Sequence, residues 1–88
     1  MTAAEKANLY LQHPDEDPEP VGVRNYLIHP PSKLSSTAAW IKFRDNTLSP
    51  LNRDRPEDSN IQNFLNQVAI ILAWRAGVAQ EDRFWRAD

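Results

Sequence analysis

The chain has 88 residues, ten Lys and Arg against twelve Asp and Glu, no cysteine, and a formal net charge of -2. That length argues against two ordinary domains, and the missing cysteine removes disulfides, zinc–cysteine sites and thiol nucleophiles. The charge balance argues against nucleic-acid binding driven by bulk positive charge.

A domain this small buries roughly 60–65% of the surface its unfolded chain exposes, which allows one modest core and little room for an enclosed active-site cavity. Three Trp, three Phe and two Tyr supply the bulk of that core. The first six residues lack the basic-then-apolar pattern of a signal peptide. The longest apolar run, Val68 to Trp74, has seven residues, against about 20 for a bilayer span. The expectation is a soluble, cytoplasmic chain; the lack of Cys fits a reducing compartment.

Residues 2–12 are expected to form the first helix. Thr2 and Glu5 stand at the capping-box spacing. Ala3, Ala4, Ala7, Tyr10 and Leu11 then share one stripe, with Glu5, Asn8, Leu9 and Gln12 elsewhere. Such a helix is too short to be stable alone, so its small-residue stripe is expected against another helix.

Residues 13–35 are expected to be a Pro-rich extended connector. Pro14, Pro18 and Pro20 remove backbone donors and push the preceding residues toward extended geometry. Val21, Val23, Leu27 and Ile28 could make a short strand, but it would have no partner within the chain. An extended segment along the helices, ending at Pro30 and Pro31, is preferred.

A second helix is expected over residues 36–48, capped by Ser35 or Ser36. Trp40, Phe43 and Ala39 form its apolar side, widened by Ile41 and Leu48, and Pro50 stops it. Residues 49–57 then read as a loop rich in turn formers. The third helix, residues 59–76, has the clearest pattern: Asp58 or Ser59 as cap, and Ile61, Phe64, Leu65, Val68, Ile71 and Leu72 on one continuous stripe. Gly77 falls where a left-handed C-cap belongs. Residues 80–86 are expected to add a short turn that tucks Phe84 and Trp85 back. The predicted fold is therefore all-α: residues 1–88 form one small bundle of three main helices, with the Pro-rich segment between the first and second.

Charge is segregated along the chain. Residues 1–20 carry one base against five acids, residues 21–56 six bases against two acids, and residues 57–88 three bases against five acids. Either the acidic connector folds over the basic middle, or the middle meets an acidic partner. Surface pairing of the first kind contributes little, about 0–1 kcal/mol per pair.

No reaction is written into the motifs. His13 and His29 stand beside prolines, and with Asp15, Glu16, Asp17 or Glu19 they match no usual zinc-ligand spacing. The adjacent carboxylates lack an identifiable cleft in which a pKa would shift. Ser32, Ser35 and Ser36 lie near His29 without a nucleophile elbow, and capping accounts for Ser35 or Ser36. Gly22 and Gly77 cannot build a phosphate-cradling loop, and residues 54–58 lack EF-hand spacing. A helix-turn-helix arrangement of the second and third helices would need a turn much shorter than nine residues. The start of the third helix offers Asn60, Gln62, Asn63, Asn66 and Gln67, but Glu57 and Asp58 beside them repel phosphate.

The third helix has a second apolar feature. Ile70 and Trp74, four residues apart, share a face roughly opposite the Phe64, Val68 and Leu72 stripe. Either the N-terminal helix or the Phe84–Trp85 tail covers them, or they anchor a partner or a second copy, with Arg75 adjacent. Phe84 and Trp85 need docking as well, so close to the chain end.

These features predict a non-enzymatic protein–protein interaction module, a small inhibitor, adaptor or regulator, acting singly or as a homodimer. Its contact residues would be Ile70, Trp74, Arg75, Phe84 and Trp85. No cofactor, metal, membrane or small-molecule substrate is expected. The alternative is a small nucleic-acid-binding regulator that uses Lys33, Lys42, Arg44, Arg53 and Arg55, with Trp40 or Tyr26 stacking on bases. A third, weaker alternative is an enzyme using His13 or His29.

Overall fold

The structure, a computed structural model, describes residues 2–13, 18 and 29–87. The regular elements among these residues are all helical, with no strand. Most of the 13–35 connector, including Val21, Val23, Tyr26, Leu27 and Ile28, lies outside the described residues.

Helix α1 spans Ala3–Gln12. Its start is the predicted capping box: the Glu5 amide donates to Thr2 Oγ1 at 3.2 Å, and the Thr2 amide donates to Glu5 Oε1 at 3.4 Å. Two of the first-turn amides are thus satisfied reciprocally. Ala7 is buried, Tyr10 and Leu11 are half-buried, and Ala4, expected on the stripe, is exposed.

The middle of the chain is one compound helical rod. Helix α2, Thr37–Phe43, runs into a π-helical turn, Arg44–Leu48, and then into α3, Ser49–Asp54. Ser36 is the cap, accepting from the Ala39 amide at 3.1 Å. Pro50 does not end this rod, and half of the expected 49–57 loop is helical. The Ser49 amide donates to the Arg44 carbonyl, five residues back, so the turn before the proline is wider than an α-turn. Pro50 then occupies the first turn of α3, where a missing N–H costs little. The rod stops one residue before Pro56, at Arg55, whose backbone has left the helical region (φ -137°, ψ 65°). A residue ahead of proline is disfavoured in helical geometry.

Helix α4 spans Ser59–Gly77, about 28 Å at 1.5 Å per residue. Asp58 caps it, accepting from the Asn60 and Ile61 amides at 2.9 and 3.3 Å. Gly77 is its last residue rather than a left-handed cap; among the described residues no glycine has positive φ. The glycine answers to packing instead. A Cβ there would stand 2.5 Å from Leu11 Cδ1 of α1.

Helix α4 is the centre of the fold, packed by α1 on one side and by the α2–α3 rod on the other. The main core joins Trp40, Phe43 and Leu48 of the rod to Phe64, Val68 and Ile71 of α4, with Leu65 and Leu72 at its edge. Trp40 meets Phe43 edge-on at 6.1 Å, and Phe43 meets Phe64 at 5.3 Å. Ile41, expected to widen this face, is exposed instead. The π turn interrupts the 3.6-residue period between Phe43 and Leu48, so a regular helical count across it misassigns the flanking faces.

On the opposite side, Ile70, Trp74 and Gly77 follow one another at i, i+4 and i+7. Because Gly77 touches Leu11, α1 lies along that stripe. Ile70 and Trp74 are 3% and 8% exposed within a single chain. The two-sided apolar pattern of α4 therefore marks a central helix, covered twice by its own chain.

Candidate functional site

Beyond α4 the chain makes a 3-10 turn, Gln80–Asp82, and then an extended tail. Two contacts fix the tail. The Arg86 amide donates to the Leu34 carbonyl at 2.9 Å. The Trp85 ring lies 5.4 Å from Trp74 and 5.3 Å from Phe84. Phe84 also reaches Trp74, at 6.1 Å.

Arg75 ties this end of the molecule together. Its side chain is 3% exposed. Nη1 donates to the Ser35 carbonyl at 2.8 Å and to Thr37 Oγ1 at 3.2 Å, and Nη2 donates to the Lys33 carbonyl at 3.2 Å. The guanidinium carbon stands 4.6 Å from the Trp85 ring centre and 6.0 Å from that of Trp40. A planar fork with five donors suits this task, binding carbonyls in its plane and indole against its face. Arg75 is thus a structural clamp joining α4, the turn before α2 and the tail. Among the described residues, no acceptor reaches the buried Trp40 Nε1.

The clamp leaves an open groove of about 680 Å³ between the tail and the turn before α2. Ser32, Leu34 and Ala39 form one wall, and Phe84, Trp85 and Arg86 the other. Leu34 is 54% exposed and Phe84 46%. A second groove of about 310 Å³ adjoins it, sharing Trp85 and Arg86 and adding Thr37, Gln80 and Arg83. Arg83 Nε donates to the Val78 carbonyl at 3.1 Å, and its guanidinium carbon is 5.9 Å from the Trp85 ring centre.

No protein-family model, curated protein or solved structure matches this chain.

The site residues expected from the sequence divide into two groups. Ile70, Trp74 and Arg75 are interior and present no surface, and Trp74 and Arg75 support the tail from within. Phe84 and Trp85 line the open groove. Leu34 and Arg83 were not expected there. Leu34 lies in an aperiodic stretch between Lys33 and Ser35, and Arg83 follows two acids in a short turn, so neither carries a pattern signal.

Of the basic set, Lys33, Lys42, Arg53 and Arg55 are exposed, and Arg44 is ion-paired to Asp45 at 2.9 Å. Trp40 is fully buried, so it cannot stack on a base; Tyr26 lies outside the described residues. The connection between α3 and α4 is four residues, 55–58, rather than the nine expected, because α3 extends to Asp54. Gln62, one of the amides at the start of α4, is occupied by Asn52 Oδ1 and the Pro56 carbonyl. His13 and His29 are both exposed. Among the described residues there is no cluster of three potential metal ligands, and no helix is long and apolar enough to cross a membrane.

Proposed function

We propose that the chain is a non-enzymatic protein-interaction module, a small inhibitor, adaptor or regulator, that docks a partner protein in the groove between its tail and the turn before α2. One observation carries this reading: two of the most exposed large apolar side chains, Leu34 and Phe84, face one open concavity. Scattered apolar side chains on a surface need no explanation, whereas apolar side chains converging on a concave site do. The groove lies within the roughly 300–1,000 Å³ typical of binding pockets. Arg75 and Trp85 hold its walls from beneath, which lowers the ordering cost that binding would otherwise incur.

The anchor set accordingly loses the interior Ile70, Trp74 and Arg75, keeps Phe84 and Trp85, and gains Leu34. Leu9, exposed on α1 and not part of the groove, is the matched control. A photo-crosslinking side chain placed at 84, and separately at 9, is expressed in the native host, and the adduct is identified by mass spectrometry. The identified protein is then titrated into the purified chain. The expected result is a defined adduct at 84 alone, and binding that Leu34→Ser or Phe84→Ser weakens at least tenfold while Leu9→Ser leaves it unchanged. Equal adducts at both positions, or binding indifferent to Leu34 and Phe84, would overturn the reading.

A further inference from the structure

The two grooves are not equivalent in chemistry. The larger one carries the apolar side chains Leu34, Ala39 and Phe84. The smaller carries Arg83, Gln80 and Thr37, and the two meet at Trp85 and Arg86. The charged side chains lining them, among the described residues, are Arg83 and Arg86, both exposed and both cationic. Glu81 and Asp82, in the adjacent turn, line neither groove.

Resting on the docking site proposed above, we infer that its occupant is an acidic, extended segment of a partner protein. The segment seats an apolar side chain against Leu34, Ala39 and Phe84, and places Asp or Glu carboxylates against Arg83 and Arg86. Charge complementarity selects the acid. Two exposed guanidiniums at one groove repel a basic segment and gain charge-assisted, bidentate hydrogen bonds from carboxylates.

The backbone on both sides favours this arrangement. The Arg86 amide is already bonded to Leu34 and the Arg83 Nε to Val78. Arg86 therefore projects from a fixed backbone point and Arg83 from a bonded Nε, and among the described residues no acceptor takes their terminal guanidinium nitrogens. A nucleic acid would also meet the cations, but it needs an exposed aromatic plane for its bases. Phe84 offers one such plane, but Trp85 is half-buried and already packed against Trp74 and Arg75, and Leu34 and Ala39 beside them are aliphatic, so successive bases find no run of stacking platforms. The recognition unit is thus one apolar residue with acids a few positions along the same strand of chain.

The test is selection of displayed random peptides on the full chain, followed by titration of the enriched peptides. The variants are Phe84→Ser, Leu34→Ser and the double reversal Arg83→Glu/Arg86→Glu, each checked for native helix content. Expected are peptides that pair Leu, Ile or Phe with nearby Asp or Glu, and that lose about tenfold or more in affinity both in the charge-reversed variant and in either apolar variant. Their binding should weaken with added salt.

Peptides that need Phe84 or Leu34 but ignore the charge reversal, or that carry no acids, would overturn the acidic occupant and leave the docking site standing. No enrichment, or peptides indifferent to every variant, would remove both. A single-stranded oligonucleotide that outcompetes the peptides, and whose binding the charge reversal abolishes, would overturn the peptide in favour of nucleic acid. Light scattering that shows a dimer broken by Phe84→Ser would assign the groove to a second copy of the chain.

Discussion

Leu11 of α1 sits where a side chain on Gly77 of α4 would have to go: a Cβ at 77 would lie 2.5 Å from Leu11 Cδ1 and 3.3 Å from Cδ2. The small residue lets the two helices close over Ile70 and Trp74. Gly77→Ala sets two terms in opposition. Alanine gains up to about 1 kcal/mol of helix propensity over glycine, and less at a fraying end. Forcing Leu11 aside in a packed contact costs roughly 1–3 kcal/mol. The expected net is a loss of about 1 kcal/mol by urea denaturation. In a Leu11→Ala background the same substitution should become neutral or stabilising, and a double-mutant cycle with no coupling would refute the contact.

Arg75 should tolerate no conservative replacement. Lysine keeps the charge but loses the planar fork, so it cannot serve the Ser35, Thr37 and Lys33 oxygens together or lie flat beside Trp85. Hydrogen bonds to a charged group are worth about 1.5–3 kcal/mol, and the orphaned carbonyls add their own desolvation cost. Arg75→Lys is expected to cost about 2 kcal/mol and Arg75→Ala about 3 kcal/mol or more. Amide exchange of residues 83–87 should rise toward that of an unstructured chain in both variants. Native-like protection of the tail in Arg75→Ala would show that the clamp is not what holds it.

The two apolar faces of α4 were readable from residue spacing alone, because an uninterrupted helix keeps its period over 19 residues. So was the Thr2 box, which depends on local chemistry at fixed offsets, while the cap of α4 was narrowed only to Asp58 or Ser59, of which the hydrogen bonds select Asp58. What was not readable lies where local rules are overridden by neighbours. The π turn before Pro50 depends on a five-back hydrogen bond that no residue type advertises. Gly77 carries the composition of a left-handed cap but is selected by Leu11, 66 positions away in sequence. The groove is built by residues 32–39 and 84–86, two stretches without a shared periodicity that Arg75 and the Arg86–Leu34 hydrogen bond bring together, and Arg75 reads from sequence as a partner contact beside Trp74 rather than as an interior clamp.

Ile70 and Trp74 should behave as core. Cutting a buried Trp to Ala typically costs about 3–5 kcal/mol, and placing a hydroxyl at a buried Ile adds an unpaired donor to the lost apolar area. Ile70→Ser/Trp74→Ala is therefore expected to leave the chain largely unfolded by circular dichroism, given the roughly 5–15 kcal/mol total stability of small domains. The wild-type oligomeric state gives no warning of this, because neither side chain reaches the surface. A well-folded double variant would mean that α1 does not cover this face.

Ser35 and Ser36 were equivalent candidates for the cap of α2, and the hydrogen bonds separate them. Ser36 Oγ accepts from the Ala39 amide, whereas Ser35 Oγ accepts from the Ser32 amide in the preceding turn. Loss of a helix cap costs about 0.5–2 kcal/mol, and loss of an exposed turn contact less. Ser36→Ala should lower stability by about 1 kcal/mol and Ser35→Ala by about half of that or less. Equal effects in thermal unfolding would assign the cap wrongly.

Trp85 and Leu34 border the same groove but do different work. Trp85 is half-buried, stacked near Arg75 at 4.6 Å and against Trp74 at 5.4 Å, so it anchors the tail. Leu34 gives its carbonyl to Arg86 but leaves its side chain more than half exposed. Trp85→Ala should cost about 2–3 kcal/mol, combining lost apolar burial with a lost cation–π contact. Leu34→Ser should stay within about 0.5 kcal/mol of wild type, since its side chain holds nothing in the isolated chain while its backbone bond survives the change. That separation of stability from surface is what a docking wall requires: a large stability loss in Leu34→Ser would place the side chain in the fold's own support rather than at a site kept open for a partner.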